Sequence, residues 1–365
     1  MEIDLARWRR NLRAIAAELR PGVRFGYVIK EEANGHGLLT AAELAAEAGV
    51  SALIVGSLDE AVRLRGAGWR RDVLLLGRCH PEEMRTCVEE RITACVHAAD
   101  EIAEWAETAR RAGGEALVHL EINTGLNRYG AHWSAAVGVA EACASAAGVR
   151  LGGVFTHFAQ SDEADKTFAR VQIARFEEVL AALRARGIPA GVRHACNSGG
   201  FLDLPEAHYD MVRVGLLPCG VFPSDVCRRI AGIEPVMSVR ARIAMIQELR
   251  PGDHAGYGMR FTATRPTRIA ILPIGYGDGY PRMRNAGRAL VRGRSVPIVG
   301  GVSTGAVFLD VTDVPDVRLW DVATLLGDDG QERITATELA RLAATVNYDV
   351  LLRWRAKLPR VLVSS

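Results

Sequence analysis

The chain reads as an α/β protein in which an N-terminal (β/α)8 TIM-like barrel is followed by a mostly β C-terminal domain. Three observations predict this. Short apolar runs alternate with amphipathic helical stretches through the first part of the chain. From about Ile233 the texture changes to short strands broken by Gly, Pro and Asp. Polar residues gather at the carboxyl ends of the proposed parallel strands, the face on which barrel enzymes build their sites.

The first helical stretch is residues 6–19. Strand candidates follow at 25–30, 52–56, 73–77, 93–96, 117–122, 152–157, 193–197 and 211–215. Helical candidates fall between them, among them 41–48, 59–65, 99–112, 134–146 and 166–186. Eight near-regular units favour a closed barrel over an open doubly wound sheet. Beyond them, 239–248, 267–274, 288–291, 296–299, 307–311 and 322–326 read as strands of a mostly antiparallel domain. One helix, 336–344, interrupts them, and the runs 350–354 and 361–364 close the chain as further β-structure. The boundary is expected between Pro223 and Glu234, giving a barrel over 6–230 and a β-domain over 231–365, to which residues 1–5 would add.

With 49% hydrophobic and 24% charged residues the composition is that of a globular protein with ample core. A formal net charge of +2 argues against nucleic acid or an acidic membrane surface as partner. No run approaches the ~18 apolar residues of a membrane span, and Met1-Glu2-Ile3-Asp4 does not read as a signal peptide. The seven cysteines are scattered, with no C-x-x-C pair. They suit the reduced thiols of a cytoplasmic protein better than a disulfide or zinc framework, and no metal site is expected.

Of 45 basic residues only Lys30, Lys166 and Lys357 are lysines. Arg supplies nearly all the positive charge, so Lys30, closing the first barrel strand before a glycine-punctuated turn, asks for a reason of its own. An amine that can lose its proton is one, since lysine forms Schiff bases and guanidinium does not. The plainer reading is a strand-end lysine reaching to solvent. At the same mouth lie Asn123-Thr124-Gly125-Leu126-Asn127-Arg128, His157, Asn197-Ser198-Gly199-Gly200 and Arg213-Val214-Gly215-Leu216. Glycine-containing turns after the last two strands suit a phosphate, although Asn197-Ser198 is equally an ordinary helix cap. A strand-end lysine with such turns suggests pyridoxal phosphate.

These residues carry a resemblance. Val28-Ile29-Lys30 with Ala33-Asn34-Gly35-His36-Gly37, and His119-Leu120-Glu121-Ile122-Asn123-Thr124-Gly125-Leu126-Asn127-Arg128-Tyr129-Gly130, resemble the motifs of the alanine racemases. So do Thr156-His157-Phe158-Ala159, Asn197-Ser198, Met211-Val212-Arg213-Val214-Gly215, Gly256-Tyr257-Gly258, Pro273-Ile274-Gly275-Tyr276-Gly277-Asp278-Gly279 and Val346-Asn347-Tyr348, all in colinear order. The resemblance implies a fold-type III, pyridoxal-phosphate-dependent racemase working as a homodimer with shared active sites.

It also implies roles. Lys30 would hold the cofactor aldehyde and act as base on one face of the substrate Cα, and Tyr257 of the partner subunit would act on the other. Arg213 would donate to the pyridine nitrogen, and His157 would bond Tyr257 or pack the ring. Arg128 would approach the cofactor's phenolic oxygen and the substrate carboxylate. Ser198, Gly215, Leu216 and Tyr348 would bind phosphate, with Asn197 and Asn34 among the cofactor contacts. Tyr276 and Thr304 would border the substrate. Asp278, in the same turn as Tyr276, is equally a structural residue.

Arg213 keeps a separate physical reading, because a permanently charged donor holds the pyridine nitrogen unprotonated and weakens the electron sink. Tyr257 and His157 each retain a packing alternative.

The chain departs from the family pattern at four places. Asn34 stands where the family has tyrosine. Glu121 stands where the family has a lysine that is often carbamylated, so its carboxylate could supply the anion beside Arg128 directly. Ser303-Thr304-Gly305 replaces a bulkier segment. Glu31 and Glu32 flank Lys30 as a solvated pair or as an anionic lip for a polar or basic substrate. The pocket is therefore expected to admit a larger or hydroxylated amino acid such as serine besides alanine. A decarboxylase on the same scaffold is an alternative that Arg213 argues against, since an acidic partner normally faces the pyridine there. A non-catalytic cofactor-binding protein is another, against which the β-domain and Tyr257 argue.

Overall fold

The structure, a computed structural model, describes residues 1–354 and 358–364, so Lys357 lies outside the described residues. Eight parallel strands run in the order Met211–Val214, Arg24–Val28, Ala52–Val55, Asp72–Arg78, Thr93–Val96, Ala116–Asn123, Val149–Phe155 and Val192–His194. The ring closes where Arg213 N–H donates to the Cys196 carbonyl at 2.9 Å and Asp210 N–H to the Arg193 carbonyl at 3.0 Å. The strands are Val-, Ile- and Leu-rich because both faces are covered, one by the barrel interior and one by the helices. Leu38–Glu47, Leu58–Gly66, Asp100–Ala112, Ala136–Ser145 and Thr167–Ala185 supply most of that outer layer, with Pro81–Glu89 as a further helix.

The second sheet begins at the N-terminus. Glu2–Asp4 pairs antiparallel with Met237–Arg242 and parallel with Val361–Val363. It continues through Val322–Asp329, Arg288–Val291, Arg294–Val299, Val307–Asp310 and Thr267–Leu272 to Met245–Leu249, almost entirely antiparallel. The run expected as one strand over 239–248 is two, because the chain bends at Ile243 and Ala244 to follow different neighbours.

One expectation fails outright. The run 350–354 is helical as far as Arg353, the end of the helix Asn347–Arg353, rather than β. Val350, Leu351 and Trp354 are buried while Leu352 is exposed, a spacing that suits one helix face; a short apolar run is ambiguous until its neighbours are placed. The correction matters because this helix carries Tyr348 to the mouth of the barrel.

Candidate active site

The strand Arg24–Val28 ends one residue before Ile29, and Lys30 opens an unusual turn. Glu31, Glu32, Ala33 and Asn34 all have positive φ, between 53° and 55°, forming a left-handed turn without a glycine. Each such residue costs about 1–2 kcal/mol, so neighbouring groups must hold it. Glu32 N–H donates to Glu60 Oε1 at 3.1 Å, and Glu60 Oε2 accepts from Gly56 N–H at 3.0 Å. Glu32 in turn accepts from Leu38 N–H at 3.1 Å and pairs with Arg63 at 2.6 Å. Burial alone would raise its pKa, but Arg63 and that N–H outweigh it and hold it below the usual carboxylate value. Glu32 is therefore part of the turn's scaffold and not an anionic lip; Glu31 alone lines the cleft.

The two described lysines separate by partner. Lys166 is bound to Asp203 at 2.9 Å and to the Ser161 carbonyl at 2.8 Å. Lys30 is exposed and has no hydrogen bond or ion pair among the described residues. Its stem passes over Gly56, where an added Cβ would lie 3.2 Å from Lys30 Cβ.

The cleft it enters has a volume of about 330 Å³. The barrel mouth contributes Lys30, Asn34, Arg128, His157, Asn197, Ser198, Arg213, Gly215 and Leu216, and the helix Asn347–Arg353 contributes Tyr348 and Leu352. At one end Ser198 Oγ accepts from Gly215 N–H at 3.2 Å and Leu216 N–H at 3.3 Å. A hydroxyl and two amides that meet at a point are a cradle for an anion. Asn197, which lines the cleft, uses its Oδ1 to cap the helix Ser198–Asp203 through Gly200 N–H at 2.9 Å and to accept from Ser161 Oγ at 2.7 Å. Asn34 Nδ2 is 3.4 Å from the Gly215 carbonyl, to which it donates, in the wall of the same cradle.

Arg213 is 3% exposed in the barrel interior. Its Nη1 donates to His194 Nδ1 at 2.9 Å, and its Nη2 to the Thr156 and Ala195 carbonyls and to His157 Nδ1 at 3.1 Å. Both imidazoles must accept, so His157 and His194 carry their protons on Nε2. His194 Nε2 then donates to His119 Nδ1 at 2.9 Å. Burial, then the Arg213 charge, holds His157 and His194 well below their ordinary pKa, and burial takes His119 down to about 4. The same burial lowers Arg213 itself to about 10, so it remains a cation at neutral pH. His157 Nδ1 is thus occupied by Arg213. His119 and His194 went unread in the sequence; the available signal was Gly152-Gly153, which makes room for His119, since a Cβ on Gly153 would sit 2.8 Å from its ring.

Glu121 forms no ion pair with Arg128 among the described residues. Its Oε2 lies 3.4 Å from His97 Nε2, and Arg128 is exposed with no ion pair among the described residues. Tyr257, Tyr276 and Thr304 lie elsewhere, on the β-domain, and do not line this cleft. Thr304 Oγ1 donates to Tyr276 Oη at 2.6 Å, and Gly256, next to Tyr257, packs on Gly301 of the segment leading to Thr304. Asp278 accepts from Gly275 N–H at 2.8 Å, shaping the turn that carries Tyr276. Tyr257 itself is 83% exposed.

An amine able to bond an aldehyde, a cradle able to take a phosphate, and a fixed cation for a ring nitrogen surround one cleft of suitable size. That donor set fits pyridoxal phosphate and defines a pyridoxal-phosphate enzyme on a barrel. Comparison with known proteins narrows the class. Residues 3–223 match the family "Alanine racemase, N-terminal domain" and residues 236–362 match "Alanine racemase, C-terminal domain". An alanine racemase of Syntrophobacter fumaroxidans is 40% identical over 351 residues, covering 96% of this chain and 93% of its own. Among solved structures, an alanine racemase of Streptomyces lavendulae superposes with a TM-score of 0.93 at 33% identity, covering 100% of this chain and 96% of that one. One of Bacillus anthracis superposes with 0.92 at 29%, covering 99% and 94%. The chain belongs to the alanine racemase family, and it is a pyridoxal-phosphate-dependent amino-acid racemase, an isomerase.

Proposed function

We propose that this enzyme interconverts L- and D-alanine by a two-base mechanism, using Lys30 and Tyr257 of the partner subunit, and that its pocket also admits serine. Exchange of configuration needs one group to remove the Cα proton and another to return it on the opposite face. Pyridoxal phosphate, when bound, draws electron density from the substrate Cα and makes its hydrogen acidic. Lys30, unpartnered at the cleft mouth, takes or gives the proton on one side. Ser198 with the Gly215 and Leu216 amides holds the phosphate, Asn34 and Tyr348 bordering it, and Arg213 faces the ring nitrogen. Arg128, free of ion pairs, takes the substrate carboxylate.

The observation that carries the reading is the division of the site. The barrel residues meet in one cleft, whereas Tyr257, Tyr276 and Thr304 share a separate, exposed face. A homodimer in which each β-domain closes the other subunit's cleft unites the two sets, with residues 6–230 as the cofactor-binding barrel and 231–365, joined by 1–5, as the contributing domain. Its proposed location is the cytoplasm; no helix of the described residues is long and apolar enough to cross a membrane. Thr304 in place of a bulkier residue supports room for a hydroxymethyl side chain. Purified holoenzyme is assayed against a panel of L-amino acids by chiral chromatography. Racemisation of alanine and serine is expected; turnover of alanine alone removes the serine reading, and carbon dioxide release without D-product removes the whole.

A further inference from the structure

We infer that His97 is a positioning residue for recognition of the substrate carboxylate: paired with Glu121, it fixes the turn that presents Arg128. The inference rests on the reading of Arg128 as the carboxylate-binding group.

His97 follows the strand Thr93–Val96 and is buried between two carboxylates on different elements. Its Nε2 lies 3.4 Å from Glu121 Oε2 on the neighbouring strand, and its Nδ1 lies 3.6 Å from Glu101 Oε2 on the following helix. Glu101 Oε1 also accepts from His97 N–H at 3.2 Å, and Arg78 Nε is 3.8 Å from it. Burial opposes a charge on the ring, but the two carboxylates override it and raise its pKa to about 9. A buried charge of this kind is strongly disfavoured unless paired, so the three groups specify one another's positions.

The turn bearing Arg128 starts and ends on Glu121. Asn123 Oδ1 accepts from Gly125 N–H at 3.0 Å and Asn127 N–H at 3.1 Å, folding the chain back. Gly130, at φ +99°, returns so close that an added Cβ would lie 2.9 Å from the Glu121 carbonyl oxygen. Tyr129, the residue after Arg128, lays its ring against His97 with centroids 5.7 Å apart. The backbone of Arg128 is thus held from below by Glu121 and from the side by His97 through Tyr129. Arg128 has no other tether among the described residues, so its reach to a carboxylate depends on that backbone, and displacements of about 1 Å are enough to cost up to about a hundredfold.

The test uses wild-type holoenzyme and the variants His97→Gln, Tyr129→Leu and His97→Gln/Glu121→Gln. Acetate serves as the carboxylate probe for equilibrium binding, and L-alanine as substrate. His97→Gln is expected to weaken acetate binding and raise KM about tenfold while kcat stays within about threefold, as loss of ground-state positioning requires. The double variant is expected to cost no more than the single one, since it removes both charges together. Tyr129→Leu keeps the ion pair and the fold, and is expected to weaken acetate about threefold through the lost ring contact. Unchanged acetate affinity in both single variants overturns the proposal. So does a His97→Gln variant that loses thermal stability and kcat with KM unchanged. Should His97→Gln fail to fold, the Tyr129→Leu affinity decides. A wild-type enzyme that binds acetate in a His97-dependent way yet leaves alanine untouched sinks the substrate reading and spares this one.

Discussion

At the barrel mouth the guanidinium of Arg213 is buried and its two terminal nitrogens make four hydrogen bonds. On the β-domain Tyr257 is exposed, in the short turn Tyr257–Met259, with no hydrogen bond among the described residues. The barrel half is preorganised by its own chain, and the other half presents its residues outward. The difference teaches that a folded single chain by itself gathers the barrel residues into one cleft, while the residue proposed as the second proton-transfer group stays at the surface. A rigid scaffold and a docked phenol are different ways to place a group, and they fail in different ways.

The largest effect expected from breaking this contrast is at Lys30. Lys30→Arg keeps the charge but cannot release a proton at neutral pH, and racemisation followed by chiral chromatography should fall by at least about 10³-fold. Residual turnover near wild type would remove Lys30 from the chemistry. Next, Tyr257→Phe should lose about 10²–10⁴-fold. Mixing unfolded and refolded Lys30→Ala and Tyr257→Phe chains should then restore activity to about a quarter of wild type, because half the dimers regain one intact site. No recovery on mixing would place both groups in one chain.

Within the barrel half, Glu60→Ala leaves the Glu32 and Gly56 amides without their acceptor. The expected loss is about 2–4 kcal/mol in urea unfolding, with weakened cofactor retention. A change below about 0.5 kcal/mol would show that the left-handed turn holds itself.

The smallest effect expected is in the pH dependence. His97 has a folded pKa of about 9 against an ordinary value of 6.5, so its proton stabilises the native state. That contribution is complete below about pH 6.5 and is lost as pH rises through 9, some 2–3 kcal/mol between pH 7 and 10. Glu101 and Glu121 face the ring directly, Arg78 sits behind Glu101, and Arg213 acts on Glu121 from the barrel interior. Urea midpoints for His97→Gln should be flatter over this interval than those of wild type.

Much of the architecture was legible because its signals are periodic. Eight apolar runs at regular spacing announce a parallel sheet covered on both faces, and all eight became strands with ends displaced by at most three residues. The run at Val350 misled because three buried residues in five fit a strand or a helix face equally well. At the site, Lys30 stood out by rarity, and its freedom from partners, beside a bound Lys166, gives that rarity a physical counterpart. What stayed hidden was pairing across the fold. Glu32 bonds Arg63 on a helix 31 positions along the chain, and His119 bonds His194 at a separation of 75. Such partners have no local spacing to betray them. Glu121 shows the same limit, for its neighbour His97, on another strand's end, was not foreseen.

The left-handed turn after Lys30 has one more consequence. Four L-residues wound against their natural hand recoil once released, and the restraints on them reach back to the helix Leu58–Gly66 through Glu60 and Arg63. That helix therefore works as a latch for the turn that carries Lys30. Heat, truncation or mutation that springs it should cast off the vitamin-derived ligand while most of the barrel is still standing, and a loss of cofactor colour ahead of the main unfolding transition would be the sign.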